Sequence, residues 1–561
     1  MPNHSRTGGG PDLGGGGFLN NFQHGQKVDI FTPEDFSEEQ LMIRDLASRF
    51  VQDEVLPEQP RIERQEFDVT VRLLKRAAEL GLLGIELPDR YGGAGMDRVS
   101  AMIVAEQLAR VLSFSVSCGG QSGIGTLPIL YFGTDELRNK YLPKLCTAEK
   151  ISAYALSEAG SGSDALSAKT TAVRSPDGSH WILNGEKMWV TNAAFADIFI
   201  VFAKVDGRQF SCFLVEKSYP GVCTGPEEHK MGLKGSSTRP VVLVDVPVPV
   251  GNLIGEAGKG HEVAFNILNI GRTKLAAAAV GASRTALHDA IQYSKQRFAF
   301  GKTISSFGAI QHKLAEMAIR IWVTEGMVYR TANLMDQAIQ GVPVEDRART
   351  IGAMKEYAVE CSIAKVFGSE TLDYVVDEAV QIYGGYGFSA EYPVERYYRD
   401  SRVNRIFEGT NEINRLMIAG MLLKRVSERL DLPNPSGALA EETTAIGRLK
   451  KVYGILVKAV SSNSEQEVLM LVADVAIGIY AVDTAFHRTR KIMDSGRDSE
   501  IAVAMFRTFL NDEISRITFA SRQVLAATGG DGPSEAEPLL RWTPVNTVAT
   551  RRQIAEHLLG I

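Results

Sequence analysis

The chain has 561 residues, 44% hydrophobic and 23% charged, with 61 basic against 67 acidic side chains and a net charge of -6. That length points to several packed units, and that balance to an ordered globular protein rather than a disordered or fibrous one. The charge excludes a global positive field for nucleic acid; the dispersed Cys118, Cys146, Cys212, Cys223 and Cys361 form no CxxC pair, so no metal centre or disulfide framework is expected and a reducing, cytoplasmic setting fits.

Residues 1–34 carry the glycine clusters Gly8 to Gly10 and Gly14 to Gly17 and read as a flexible leader without signal or transit features. No apolar run reaches about 18 residues, so no membrane-spanning helix is expected. From Ser37 the pattern becomes helical. Ser37 and Gln40 form a potential capping box, after which Ile43, Leu46, Ala47 and Phe50 recur at helical spacing. Further helices are predicted over 68–81, 98–112 and 134–145, making 35–150 an N-terminal helical domain.

Over 151–258 the period shifts towards two. The runs Trp181 to Leu183, Ile198 to Phe202, Cys212 to Val215 and Val241 to Val244 read as strands. Pro176-Asp177-Gly178 and Asn184-Gly185 read as hairpin turns, so a small antiparallel β domain is expected. Helices return over 259–430, where Ile310, Leu314, Met317 and Ile321 form one stripe suited to a bundle. Leu432-Pro433-Asn434-Pro435-Ser436-Gly437 reads as a break. Beyond it, over 431–561, the stripes Val468, Leu471, Val475, Ile479, Val482, Phe486 and Phe506, Leu510, Ile514, Ile517 predict a further helical domain. Within that domain Leu449, Val452, Tyr453, Leu456 and Val460 form an apolar face flanked by Arg448, Lys450, Lys451 and Lys458. Such a helix suits peripheral contact with an anionic membrane, or packing against the bundle with its charges in water. The order helical, β, helical, helical argues against Rossmann and TIM-barrel folds, which need alternating βα units.

Several segments carry candidate chemistry. Tyr154-Ala155-Leu156-Ser157-Glu158 leads into Gly160-Ser161-Gly162-Ser163-Asp164, a loop whose small residues and hydroxyls let donors approach a flat polar ring. Lys187-Met188-Trp189-Val190-Thr191-Asn192 offers an indole for stacking beside a hydroxyl. Later come Arg297-Phe298-Ala299-Phe300-Gly301-Lys302, then Gln381-Ile382-Tyr383-Gly384-Gly385-Tyr386-Gly387-Phe388, then Glu391-Tyr392-Pro393-Val394-Glu395-Arg396 with Arg399-Asp400, and finally Ile406-Phe407-Glu408-Gly409-Thr410. Singly each is compatible with an ordinary loop, core strand or helix end.

In combination and in this order, they resemble the acyl-CoA dehydrogenase family over about residues 35–430. The likeness extends to its very-long-chain subgroup, whose members carry an extra C-terminal helical domain; Asn269-Ile270-Gly271-Arg272 and Ser306-Phe307-Gly308-Ala309-Ile310-Gln311 read as in that subgroup. The resemblance implies a mainly α fold with a central β domain, FAD held between β domain and bundle, and oxidation of an acyl-CoA thioester to a trans-2-enoyl-CoA. Glu408 is implied as the base, and it needs a pKa raised from roughly 4.3. The alternative base position of some relatives is Gly271, which has no carboxylate.

The same resemblance implies flavin contacts from Tyr154, Leu156, Ser157, Trp189, Thr191, Thr410 and Glu412. It places Ser163, Arg272 and Gly409 at the thioester. Arg297, Phe300, Gln381, Gly384 and Gly385 are implied to meet the adenosine end of FAD across a subunit boundary, hence a homo-oligomer, most simply a dimer. Most shorter relatives have glutamine where this chain has Gly308. An electron-transfer flavoprotein is the implied electron acceptor. An acyl-CoA oxidase reacting with oxygen, or a scaffold protein on the same fold, are the alternatives.

Overall fold

Ser37 Oγ accepts the amide of Gln40 at 3.2 Å while Gln40 Oε1 accepts the Ser37 N–H at 3.1 Å, and this reciprocal cap starts α1 (Glu38–Phe50). The computed structural model describes residues 15–19, 29–342, 346–425, 437–461, 464–529 and 532–560. The N-terminal helices continue as α2 (Gln59–Glu63), α3 (Phe67–Glu79), α4 (Arg98–Leu108), α5 (Leu112–Gly119), α6 (Leu127–Phe132) and α7 (Asp135–Cys146). Between α5 and α6 the chain widens into a π-helical turn, Gly120–Gly125, a distortion that often accompanies a functional site.

The middle of the chain is one sheet of β1 (Ser152–Ala155), β2 (Thr171–Arg174), β3 (His180–Thr191), β4 (Ile198–Val205), β5 (Gln209–Glu216), β6 (Val222–Thr224), β7 (Thr238–Pro249) and β8 (Leu253–Ile254). Its order is β6-β7-β3-β2-β4-β5-β8, with β1 also on β4. The sheet is mixed rather than antiparallel throughout, because β1 and β2 both run parallel to β4 and share its edge. Pro176-Asp177-Gly178 does turn the chain between β2 and β3, but Asn184-Gly185 does not. That dipeptide lies inside β3 at a bulge, where β3 resumes pairing with β7 on both sides. The Asn184 and Asp245 side chain and backbone bond each other across it at 2.9 Å, so the strand bends instead of reversing.

The bundle consists of α8 (Gly260–Gln296), α9 (Gly308–Ile339), α10 (Arg347–Glu356), α11 (Ala358–Tyr383), α12 (Pro393–Ser401) and α13 (Asn411–Leu422), with the short ribbon β9 (Phe298–Ala299) and β10 (Lys302–Thr303) between α8 and α9. Gly281 of α8 lets α4 cross in backbone contact, since a Cβ there would lie 1.8 Å from the Glu106 carbonyl oxygen.

The C-terminal part forms α14 (Ala440–Ala459), α15 (Gln466–Asp494), α16 (Glu500–Thr528), α17 (Gly532–Ala536) and α18 (Thr547–Leu559). Of the expected break, residues 432–436 lie outside the described residues. The α14 face of Leu449, Val452, Tyr453 and Leu456 is buried in the core shared with the bundle, and Lys450 is buried too, 2.6 Å from Asp483. The face proposed for a membrane is therefore already covered. One helix, α15, is long and apolar enough by composition to span a bilayer, with a mean hydropathy of 1.8, but 83% of that window is buried as the centre of this domain. Asp474 and Asp483 interrupt its apolar run, in keeping with the expectation of no spanning helix.

Buried ion pairs join the parts: Arg330 with Asp483 at 2.8 Å, and Arg488 with both Glu34 and Glu325 at 2.9 Å. The described leader residues are docked as well. Phe18 and Leu19 are buried, Phe18 meets Tyr480 edge-on at 4.9 Å, and Gly16 N–H donates to Glu360. Residues 15–19 thus belong to the packed body, because an apolar pair amid glycines finds core to cover.

Candidate active site

The end of α5, the π-helical turn, α8 and the turn before α13 enclose a cavity of about 140 Å³. Its wall is mostly apolar or small, including Val104, Leu108, Gly119 and Leu275, and four of its polar members are Thr191, Lys274, Asn404 and Glu408. Apolar walls with a few convergent polar groups are the usual make-up of a ligand site.

Glu408 enters this cavity from a backbone that glutamate seldom adopts, with φ +58, followed by Gly409 at +84. Two buried cations hold that turn. Arg272 Nε donates to the Glu408 carbonyl at 3.1 Å, and Lys365 Nζ donates to the Gly409 carbonyl at 2.8 Å and to Asn411 Oδ1 at 2.7 Å. Asn414 Nδ2 gives the Gly409 carbonyl a second bond at 2.8 Å. Thr410 Oγ1 caps α13 by accepting the Ile413 amide.

The result is a carboxylate aimed at Gly271. A Cβ on Gly271 would stand 2.9 Å from Glu408 Oε2, so the carboxylate fills the space a side chain at 271 would need. Oε2 is buried without a hydrogen-bond partner. Burial pushes the Glu408 carboxyl up to about 7, against the opposing pull of Arg272 and Lys365. A group so placed is half ionised near neutrality and suited to removing a proton. Burial likewise pulls Lys365 down to about 7. The Glu408 N–H donates no hydrogen bond among the described residues, which leaves it free for a ligand oxygen.

Beside the cavity, β3 carries a second bulge between Lys187 and Val190. It puts Trp189 at φ +56 with its side chain 58% exposed, next to Thr191 in the cavity wall. The loop after β1 is fastened to β3 by a buried pair, Lys187 Nζ to Glu158 Oε1 at 2.6 Å, by Lys187 Nζ to the Leu156 carbonyl at 3.1 Å, and by the Met188 amide to the Ser157 carbonyl at 2.9 Å. Burial alone would raise Glu158, but the Lys169 amide, Lys187 and Thr170 outweigh it and hold the carboxyl at about 2. Tyr154 packs edge-on against Phe202 at 5.2 Å, and its hydroxyl is buried without a partner.

The structure thus brings Thr191, Gly271, Arg272, Glu408 and Gly409 together, with Trp189 alongside. Ser163 and Glu412 are exposed at the surface. Arg297, Phe300, Gln381, Gly384 and Gly385 form a separate exposed region outside the cavity lining, with Phe300 96% exposed at φ +51. Sequence reasoning missed Lys365, Asn411 and the Glu158–Lys187 pair. The signal for Lys365 is a lone lysine in the apolar run Ile363-Ala364-Lys365-Val366-Phe367.

Four family descriptions match the chain: acyl-CoA dehydrogenase N-terminal domain over 37–149, middle domain over 153–246, and two C-terminal domains over 258–423 and 454–534. A probable acyl-CoA dehydrogenase of Bacillus subtilis is 46% identical, covering 96% of each chain. The human very long-chain specific acyl-CoA dehydrogenase, mitochondrial, is 41% identical over 61% of this chain and 51% of its own length. The crystal structure of an acyl-CoA dehydrogenase complexed with FAD from Bacillus anthracis superposes with a TM-score of 0.94 at 44% identity, covering 98% of this chain and 99% of that one. The fold and these matches define a flavin-linked oxidoreductase. The chain belongs to the acyl-CoA dehydrogenase family, FAD-dependent oxidoreductases acting on acyl-CoA.

Proposed function

We propose that this enzyme desaturates long-chain acyl-CoA thioesters to trans-2-enoyl-CoA with Glu408 as the base, and passes the electrons to an electron-transfer flavoprotein. The observation that carries this reading is the partnerless Oε2 of Glu408, buried beside Gly271 in an apolar cavity. A carboxylate kept there, at the cost of a strained backbone and of its solvation, is suited to exchange a proton with a ligand.

The residues present fit FAD: the open face of Trp189, the Thr191 hydroxyl and the orphaned Tyr154 hydroxyl suit a flat polar ring beside the cavity. When bound, FAD supplies the hydride acceptor. The chain does the rest. Apolar walls exclude water from the acyl group, the free Glu408 N–H stabilises the thioester oxygen as negative charge develops, and the Glu408 carboxylate takes the proton on the adjacent carbon. Arg272 and Lys365 hold the turn that aims both groups.

Chain length rests on the wall of the cavity. A Cβ on Gly119 would meet nothing within 4 Å, and Gly123 is almost as open, so this stretch leaves room for a long acyl chain. Arg297, Phe300, Gln381, Gly384 and Gly385 lie apart from the cavity, which favours a dimer in which one subunit completes the FAD site of the other. The five free cysteines suit a cytoplasmic location.

The test is anaerobic flavin bleaching with acyl-CoA esters from short to very long, by wild type and Glu408→Gln. The expected result is fast bleaching by long chains and loss of at least about 10³-fold with Glu408→Gln. Bleaching unaffected by that substitution would overturn the base, and fast peroxide release in air would overturn the flavoprotein acceptor.

A further inference from the structure

We infer that Arg552, on α18 of the C-terminal domain, binds the diphosphate of FAD at the Arg297–Phe300 surface, in the space that a side chain at position 308 would otherwise fill. This rests on the reading of that surface as the site of the adenosine end of FAD.

The argument begins with how α18 is held. Arg551 is 6% exposed and its Nε donates to Glu316 at 2.7 Å, Ile554 and Ala555 are buried, and Lys295 Nζ bonds the Leu559 carbonyl at 3.1 Å. With 551, 554 and 555 facing inward, position 552 projects out of the docked face, and Arg552 is exposed. It does not project into empty solvent. Gly308 opens α9, and a Cβ built on it would lie 3.6 Å from Arg552 Nη2 and 3.9 Å from Nε. A side chain at 308 would start in contact with the Arg552 guanidinium and run into the space beside it, which glycine leaves open to the arginine.

That volume adjoins the exposed region. Phe307 meets the Phe300 ring edge-on at 6.1 Å and has Lys302 Nζ 4.4 Å over its face. Arg297 stands over Tyr386 at 5.4 Å. Among the described residues, Arg297, Lys302 and Arg552 form no ion pair, although the chain as a whole is acidic. Three uncompensated cations beside an aromatic ring left 96% exposed make a surface suited to a heterocycle joined to a diphosphate. Arginine, with its planar fork of donors, is the residue best matched to phosphate oxygens. The C-terminal domain would thus contribute directly to cofactor binding as well as to packing.

The experiment measures the FAD dissociation constant of the full-length apoprotein by flavin fluorescence for wild type, Arg552→Ala, Arg297→Ala, and Arg552→Ala combined with Gly308→Gln. Losing a charge-assisted hydrogen bond predicts a Kd raised about tenfold or more in Arg552→Ala. The apoprotein Tm should stay at the wild-type value, because the guanidinium is exposed and unpaired. Glutamine at 308, entering the vacated space, should recover part of the affinity. If Arg297→Ala weakens FAD while Arg552→Ala binds like wild type, the inference is overturned and the reading of the surface stands. If neither substitution changes the Kd, that reading falls and the inference falls with it.

Discussion

Gly271 of α8 and the carboxylate of Glu408 meet so closely that a methyl group on the glycine would stand 2.9 Å from Oε2 and 3.0 Å from Cδ. The glycine is thus the floor on which the carboxylate rests. Gly271→Ala must displace the carboxylate, and a misplacement of about 1 Å costs on the order of 10²-fold in rate. The expected outcome is a kcat lowered roughly ten- to hundredfold with FAD content unchanged, read by single-turnover flavin reduction. A wild-type rate would mean that the carboxylate relocates freely and that its contact with α8 is incidental.

The pH dependence has a definite sign. Glu408 is raised from 4.5 to about 7 in the folded protein, so the fold favours its protonated form. Stability from this group is complete below about pH 4.5 and falls as pH rises through 7, by at most about 3 kcal/mol. Glu408→Gln should therefore raise the apoprotein Tm near pH 8 and leave it unchanged near pH 4. The activity of wild type runs the other way, rising towards a plateau as the carboxylate ionises above about pH 7. An apoprotein Tm lowered by Glu408→Gln at pH 8 would contradict the buried, partnerless carboxylate.

Lys365 is a positioning residue: it bonds the carbonyl of Gly409 and the side chain of Asn411, and its charge opposes the rise in Glu408. Lys365→Met should release one hold on the strained turn and move the activity plateau upward by about one pH unit, since a nearby opposite charge shifts a pKa by roughly 1 to 3 units. Lys365→Arg should retain much of the wild-type profile. A loss of Tm with the pH profile unmoved would reduce Lys365 to a packing role.

The fold was legible in the sequence wherever one local rule decided it. The Ser37/Gln40 cap, the α9 stripe and the α16 stripe are all as the spacing requires. Asn184-Gly185 misled because turn propensity is local, while the long β3–β7 pairing that overrides it is not. At the site, Glu408, Thr191 and Arg272 were legible from short motifs. Lys365 was not, because 43 residues separate it from Glu408 and only the packing of α11 against the turn joins them. Arg552 was hidden for the same reason, being some 250 residues from Gly308 in the chain.

The buried Glu158–Lys187 pair fastens the loop after β1 to the strand that presents Trp189, with Lys187 fully buried and Glu158 9% exposed. Lys187→Met leaves a buried carboxylate without its cation, which typically costs about 3–5 kcal/mol. The expected outcome is a lower Tm, partly restored by adding Glu158→Gln. Because Glu158 sits at about 2 against 4.5 unfolded, its stabilisation is present above about pH 4.5 and lost as pH falls towards 2. Acid unfolding of the Lys187→Met protein should accordingly show a shallower dependence over that window.

Gly119 ends α5 with open space where its side chain would be, and it lines the cavity that ends at Glu408. Leucine there costs no backbone strain, improves the helix, and fills part of the cavity beside the proposed acyl site. Gly119→Leu should lower kcat/KM for the longest acyl-CoA esters at least about tenfold, the scale of a hydrophobic chain denied its site. If Gly119 lines the chain beyond the reacting carbons, short esters should keep their rates, and so should the pH profile set by Glu408. An equal loss for every chain length would place Gly119 beside the reacting carbons instead of along the chain, and would remove the argument for long substrates.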